Sequence, residues 1–122
     1  MSSDATSTLT IDGWRPARLN QYVGRHWSVG HRMKRTDNRT LWIATQAQQT
    51  PKAAGKRRIS IHVVLSGRQK ESDPDSMWKS LLDACVKCGL LVDDSPRYCE
   101  LGPVTFARGK QTRTEITLED LP

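Results

Sequence analysis

The chain has 122 residues, with 19 Lys/Arg against 13 Asp/Glu for a formal charge of +6, and 36% hydrophobic residues. That length suits one compact domain, which at this size buries about two-thirds of the surface its unfolded form exposes. No apolar run approaches membrane-spanning length, and three cysteines, an odd number without an export signal, point to free thiols in the cytoplasm rather than a disulfide framework. The first residues, 1–8, read as a flexible polar tail before a single domain over 9–122. Leu9 to Gly13 is a short alternating strand ended by glycine. His31 to Gln49 lacks Pro and Gly and sets Met33, Leu41, Ile43, Ala44 and Ala47 among polar residues, which predicts an amphipathic helix. Pro51 to Lys56 reads as a mobile basic loop, and Arg58 to Ser66 alternates Ile59, Ile61, Val63 and Leu65 with the other face as a strand. Asp73-Pro74 then opens a second helix, with Asp at the N-cap and Pro where its missing N–H costs nothing. Met77, Trp78, Leu81, Leu82, Cys85 and Cys88 give that helix one apolar stripe up to Gly89. Leu101 to Arg108 and Thr114 to Leu118 follow as two strands around a Gly109-Lys110 turn. The order β-α-β-α-β-β predicts an α+β domain with two helices packed on a mixed sheet.

The formal charge is unevenly distributed. Residues 1–70 hold thirteen Lys/Arg against three acids, a net of +10, whereas residues 71–122 hold six against ten, a net of −4. Six of those acids fall between Glu71 and Asp94. A basic body around an acidic focus suits a polyanion held by Arg/Lys while carboxylates act on it. Solvated charged faces give the same composition without any such function.

Asp73, Asp75 and the pair Asp93-Asp94 are the candidate acids, and Lys79 sits one helical turn beyond Asp75. Two carboxylates about 4 Å apart repel by roughly 1 kcal/mol in water and about 4 at a protein surface, so a fold that gathers several needs compensation. A divalent cation such as Mg²⁺, with hard oxygen ligands, is the usual compensator. Capping explains Asp73 and Asp75 singly, and turn formation explains Asp93-Asp94. Cys85-Val86-Lys87-Cys88 matches C-x-x-C but lies at a helix C-terminus on an apolar stripe, which favours core packing over redox chemistry. His26, His31 and His62 form no metal pattern, and the phosphate-binding glycine motifs are absent. Trp14, Trp27, Trp42 and Trp78 are read as core or dimer-interface residues, with Trp27, inside Arg25-His26-Trp27, the one able to stack on a base.

With Asp73-x-Asp75-x-x-x-Lys79-x-x-x-Asp83-Ala84, then Gly89 and Asp93-Asp94, the chain resembles the RusA family of Holliday-junction resolvases, whose helix reads D-x-D-N-x-x-K-x-x-x-D-A-L before G-x-x-x-D-D. The likeness is sharp over residues 73–94, and Arg15-Pro16-Ala17-Arg18-Leu19-Asn20 is similar to the family's P-P-S-x-N opening segment. Ser76 stands where the family usually has Asn. The resemblance implies a RusA-like fold and a homodimer that resolves four-way DNA junctions by paired symmetric nicks. It implies Asp73, Asp75 and Asp94 as ligands of Mg²⁺, with Mn²⁺ as an alternative ion, and Lys79 as the essential amine. Arg15, Arg18, Arg25, Arg32, Lys34, Arg35 and Arg39, with the Lys52–Arg58 loop, are expected to carry backbone phosphates by charge, joined by Asn20 of the opening segment. The alternative is a basic nucleic-acid-binding module without catalysis, in which the aspartates only cap and turn.

Overall fold

Strict apolar alternation over residues 57–65 makes a strand with one dry face, and the other elements are arranged to cover it. The computed structural model describes residues 6–16, 38–71 and 74–122. Among them lie β1 (Thr6–Asp12), the helix α1 (38–47), β2 (Arg57–Leu65), α2 (Pro74–Cys88), β3 (Cys99–Arg108) and β4 (Arg113–Asp120). The class is α+β, with one four-stranded mixed sheet and two helices.

Strand order is β1-β4-β2-β3. β4 is antiparallel to both β1 and β2, while β3 runs parallel to β2. Parallel neighbours need a crossover, and α2 supplies it. The Gly109-Lys110 connection therefore closes no hairpin: β3 and β4 flank β2 on opposite sides. Residues 109–112 pass over the end of β2, where the Gly109 N–H donates to the Leu65 carbonyl at 2.9 Å and the Ser66 and Thr112 hydroxyls bond at 2.7 Å. Turn residues announce a reversal of the chain, not which strand lies beside which.

The core gathers on one face. Leu9 and Ile11 of β1, Ile59, Ile61, Val63 and Leu65 of β2, and Ile116 and Leu118 of β4 meet the stripe Trp78, Leu81, Ala84, Cys85 and Cys88 of α2 and Leu41 of α1. Each such aliphatic side chain removed from water contributes about 1.5–3 kcal/mol. Trp78 is buried as expected and Trp14 packs half-buried against the core, but Trp42 is 54% exposed on α1. Trp27 lies outside the described residues. No described helix is long and apolar enough to cross a membrane.

Two local expectations are corrected. The tail expected through Thr8 is shorter, because Thr6, Ser7 and Thr8 pair with Glu119, Leu118 and Thr117. The loop 51–56, expected to be mobile, is tied down: the Ala53 N–H donates to the Gly89 carbonyl at 2.9 Å, and Leu121 N–H donates to the Lys56 carbonyl at 2.9 Å. At the outer edge of β1, the Gln48 side chain donates to and accepts from the Thr10 backbone at 2.6 and 3.0 Å, which occupies polar groups that would otherwise be open to another strand.

Candidate functional site

Helix α2 runs from Pro74 to Cys88, the span its sequence signals predict. Its end is a Schellman motif. Gly89 has φ +82°, the Leu90 N–H donates to the Cys85 carbonyl at 2.9 Å, and the Gly89 N–H donates to the Val86 carbonyl at 3.1 Å. With the apolar stripe facing the sheet, Asp75, Lys79, Asp83 and Lys87 all stand exposed in an i, i+4 row. Asn38 of α1 lines a shallow groove with Ser80, Asp83 and Lys87. Among the described residues Lys79 makes no ion pair, so neither Asp75 nor Asp83 neutralises it.

Beyond Gly89 the chain buries Leu90 and Leu91, exposes Val92, Asp93 and Asp94, and turns through Ser95, whose carbonyl accepts from the N–H groups of Tyr98 and Cys99 at 3.0 and 2.9 Å. Cys99 then pairs with Arg57 at the start of β2. Asp94 therefore sits at the C-terminal end of α2, and Asp75 at its N-terminal end. From residue 75 to residue 88 the helix rises by roughly 20 Å. Among the described residues no group of three His, Cys, Asp or Glu side chains converges on a metal-sized site. Asp73 lies outside the described residues.

The basic residues sort into structural and available ones. Arg57, expected in the phosphate-binding loop, is 2% exposed. Its Nε donates to Asp120 Oδ1 at 2.6 Å, Nη1 to the Pro51 and Leu90 carbonyls at 2.9 and 3.0 Å, and Nη2 to the Lys52 carbonyl at 3.4 Å. One guanidinium so joins β2, β4, the 51–56 loop and the segment leading to Asp94. Its phase was visible in the sequence: residue 57 alternates with Ile59, Ile61, Val63 and Leu65 on the dry face. Arg58, in the opposite phase, is paired with Glu100 and Glu119. The Arg15 guanidinium is half-buried and donates Nη2 to the Lys70 carbonyl at 3.1 Å, which commits part of it to the fold. Arg39, Lys52, Lys79 and Lys87 remain exposed on the helical side. Arg18, Asn20, Arg25, Arg32, Lys34 and Arg35 lie outside the described residues.

The sheet face away from the helices carries Arg58 and Arg113 against Asp12, Glu100, Glu115 and Glu119, a net of −2 by register. Both arginines are paired there, Arg113 with Glu115 at 3.4 Å. A polyanion finds no complementary field on this face, so the helical side is the one that offers available cations. His62 spends its Nδ1 on Thr105 Oγ1 at 2.7 Å.

Cys85, Cys88 and Cys99 are free and buried. Burial pushes all three thiols up, most for Cys85, so the thiolate needed for nucleophilic or redox work is disfavoured. The C-x-x-C pair packs the core.

No protein-family model matches the chain, and no curated protein matches it.

Proposed function

We propose that this chain is a structure-specific endodeoxyribonuclease that resolves four-way DNA junctions by paired, symmetry-related nicks, in the manner of the RusA resolvases it resembles. One observation carries the reading: Lys79 is exposed on α2 between Asp75 and Asp83 and forms an ion pair with neither. A surface lysine with two acids one turn away is ordinarily spent on them. A free ammonium at that position is suited to stabilise negative charge that develops on a phosphate as its ester bond breaks. Asp75 and Asp94, with Asp73 carried over by the resemblance, are the acids whose loss stops cleavage. Phosphate contacts come from cations on the helical side together with the basic segment over residues 18–35, and junction preference follows DNA shape rather than base edges.

The second reading, a nucleic-acid-binding module without catalysis, is favoured by Ser76, which stands where the resembled family usually has Asn. Cleavage of a synthetic four-way junction in Mg²⁺ or Mn²⁺ decides between them. On the nuclease reading, Lys79→Ala and Asp94→Asn abolish nicking while junction gel shifts remain as strong as those of the unmodified protein. Junction binding without nicking by the unmodified protein, in either ion, overturns the nuclease reading and leaves the binding module.

A further inference from the structure

Arg39, Trp42, Ile43 and Gln46 recur at three- and four-residue spacing along α1 and all stand exposed, on the face opposite the buried Leu41 and Thr45. Trp42 is 54% exposed and its neighbour Ile43 51%, so two large apolar side chains meet solvent side by side. Contiguous exposed apolar surface marks a contact site more often than scattered single residues do. The charge around it narrows the partner. Residues 38–70 hold seven Lys/Arg and no Asp or Glu. Arg57 and Arg58 are committed to acids of β3 and β4, but Arg39, one turn before Trp42, makes no ion pair among the described residues. Asn38, about 6 Å along the helix axis from Trp42, lines the groove with Ser80, Asp83 and Lys87, so the patch lies on the same side of the sheet as Lys79.

We infer that Trp42 is a stacking platform for an unpaired base of DNA, with Arg39 holding the phosphate beside it. An indole gains most from a flat, apolar partner, and on a polyanion the bases are the surfaces of that kind. In a duplex those faces are covered by their neighbours, which leaves unpaired bases as the ones an exposed indole reaches. Ile43 widens the apolar contact, and the Gln46 amide, one turn beyond Trp42, can donate to or accept from a base edge. The inference rests on the protein binding nucleic acid, which both readings above share, and not on cleavage.

Two labelled strands of equal length and charge, an oligodeoxythymidine and its abasic counterpart, test the platform by fluorescence anisotropy. Trp42→Ala should weaken binding of the base-bearing strand by about 5- to 150-fold, the range expected for losing one stacked base, and leave the abasic strand unaffected. Trp42→Leu, which keeps apolar bulk without a π face, should lose nearly as much, whereas Trp42→Phe should retain most of the affinity. Salt dependence separates stacking from charge: Trp42→Ala should keep the log–log slope, and Arg39→Ala should lower it by about 0.7. Saturation with the oligodeoxythymidine should quench indole emission, and Trp42→Phe should lose that quenching while still binding. Because Trp42 is exposed, the variants should unfold at the urea midpoint of the unmodified protein. Equal loss on both strands, full affinity in Trp42→Ala or Trp42→Leu, or a lowered urea midpoint in Trp42→Leu overturns the platform. So does a change of oligomeric state in sedimentation on Trp42→Ala, which would make the patch a contact between copies. Failure of the unmodified protein to bind either strand or a four-way junction refutes the nucleic-acid readings themselves, and the platform falls with them.

Discussion

Replacing Arg57 by Met keeps the apolar stem and removes the guanidinium that joins four segments. The Pro51 and Leu90 carbonyls lose their charged donor, and an unsatisfied buried acceptor costs about 1–3 kcal/mol. The Lys52 contact at 3.4 Å is weak, and Asp120, with 40% of its side chain exposed, regains water. The expected loss is about 3–4 kcal/mol, inside the range of about 3–5 for breaking a buried charge pair. That is a large share of the roughly 5–15 kcal/mol typical of a domain. Asp120→Asn keeps an acceptor and loses only the charge, so it should cost about 0.5–1.5 kcal/mol. Urea unfolding followed by tryptophan fluorescence measures both. A loss below about 1 kcal/mol for Arg57→Met, or one no greater than that of Asp120→Asn, would refute the assignment of Arg57 as the joint of this end of the fold.

Gly89→Ala should cost about 1–2 kcal/mol in the same assay, because a Cβ at φ +82° is strained and would lie 3.2 Å from the Lys52 stem. At the irregularity where β3 meets β2, a Cβ on Gly102 would collide with Ser60 Oγ and approach the Ile59 carbonyl to 3.1 Å. Gly102→Ala should therefore cost about 1–3 kcal/mol, and adding Ser60→Ala should recover part of it. The Cys85 thiol, raised by burial above its ordinary 9.0, stays protonated in the folded state while the unfolded thiol ionises. Its contribution is intact below about pH 9 and is lost as pH rises beyond it, at up to about 1.4 kcal/mol per pH unit; Cys85→Val should flatten that part of the stability–pH profile. Alanine at Arg32, Lys34 and Arg35 together should reduce the salt dependence of junction binding, lowering the log–log slope by about 2–3 if all three contact phosphate. An unchanged slope would remove them from the interface.

Local signals were strong where the physics is local. Pro74 and Gly89 bracket α2 because helix starts and left-handed termination are decided by a few neighbouring residues, and the alternation of β2 likewise declares its own dry face. What escaped were relations across the chain. The insertion of β2 between β3 and β4 depends on a crossover of more than thirty residues, which no turn motif encodes. Summing formal charge placed Arg57 with the phosphate binders, although its phase with Ile59 put it in the core. The acids share a motif in sequence, but a helix rising about 1.5 Å per residue sets its two ends far apart, so spacing along the chain does not tell which acids meet. Asp73 and the basic residues 18–35 lie outside what the structure describes.

The place of β2 in the sheet has a consequence at the ribosome. This strand emerges 48 residues before the first residue of β4, which at about 5–20 residues per second leaves it several seconds without its antiparallel neighbour. β1 waits longer still, because its strand partner is β4. β1 and β4 are thus knitted together late, and loss of residues 113–122 would strip β1 from the sheet as surely as deleting it.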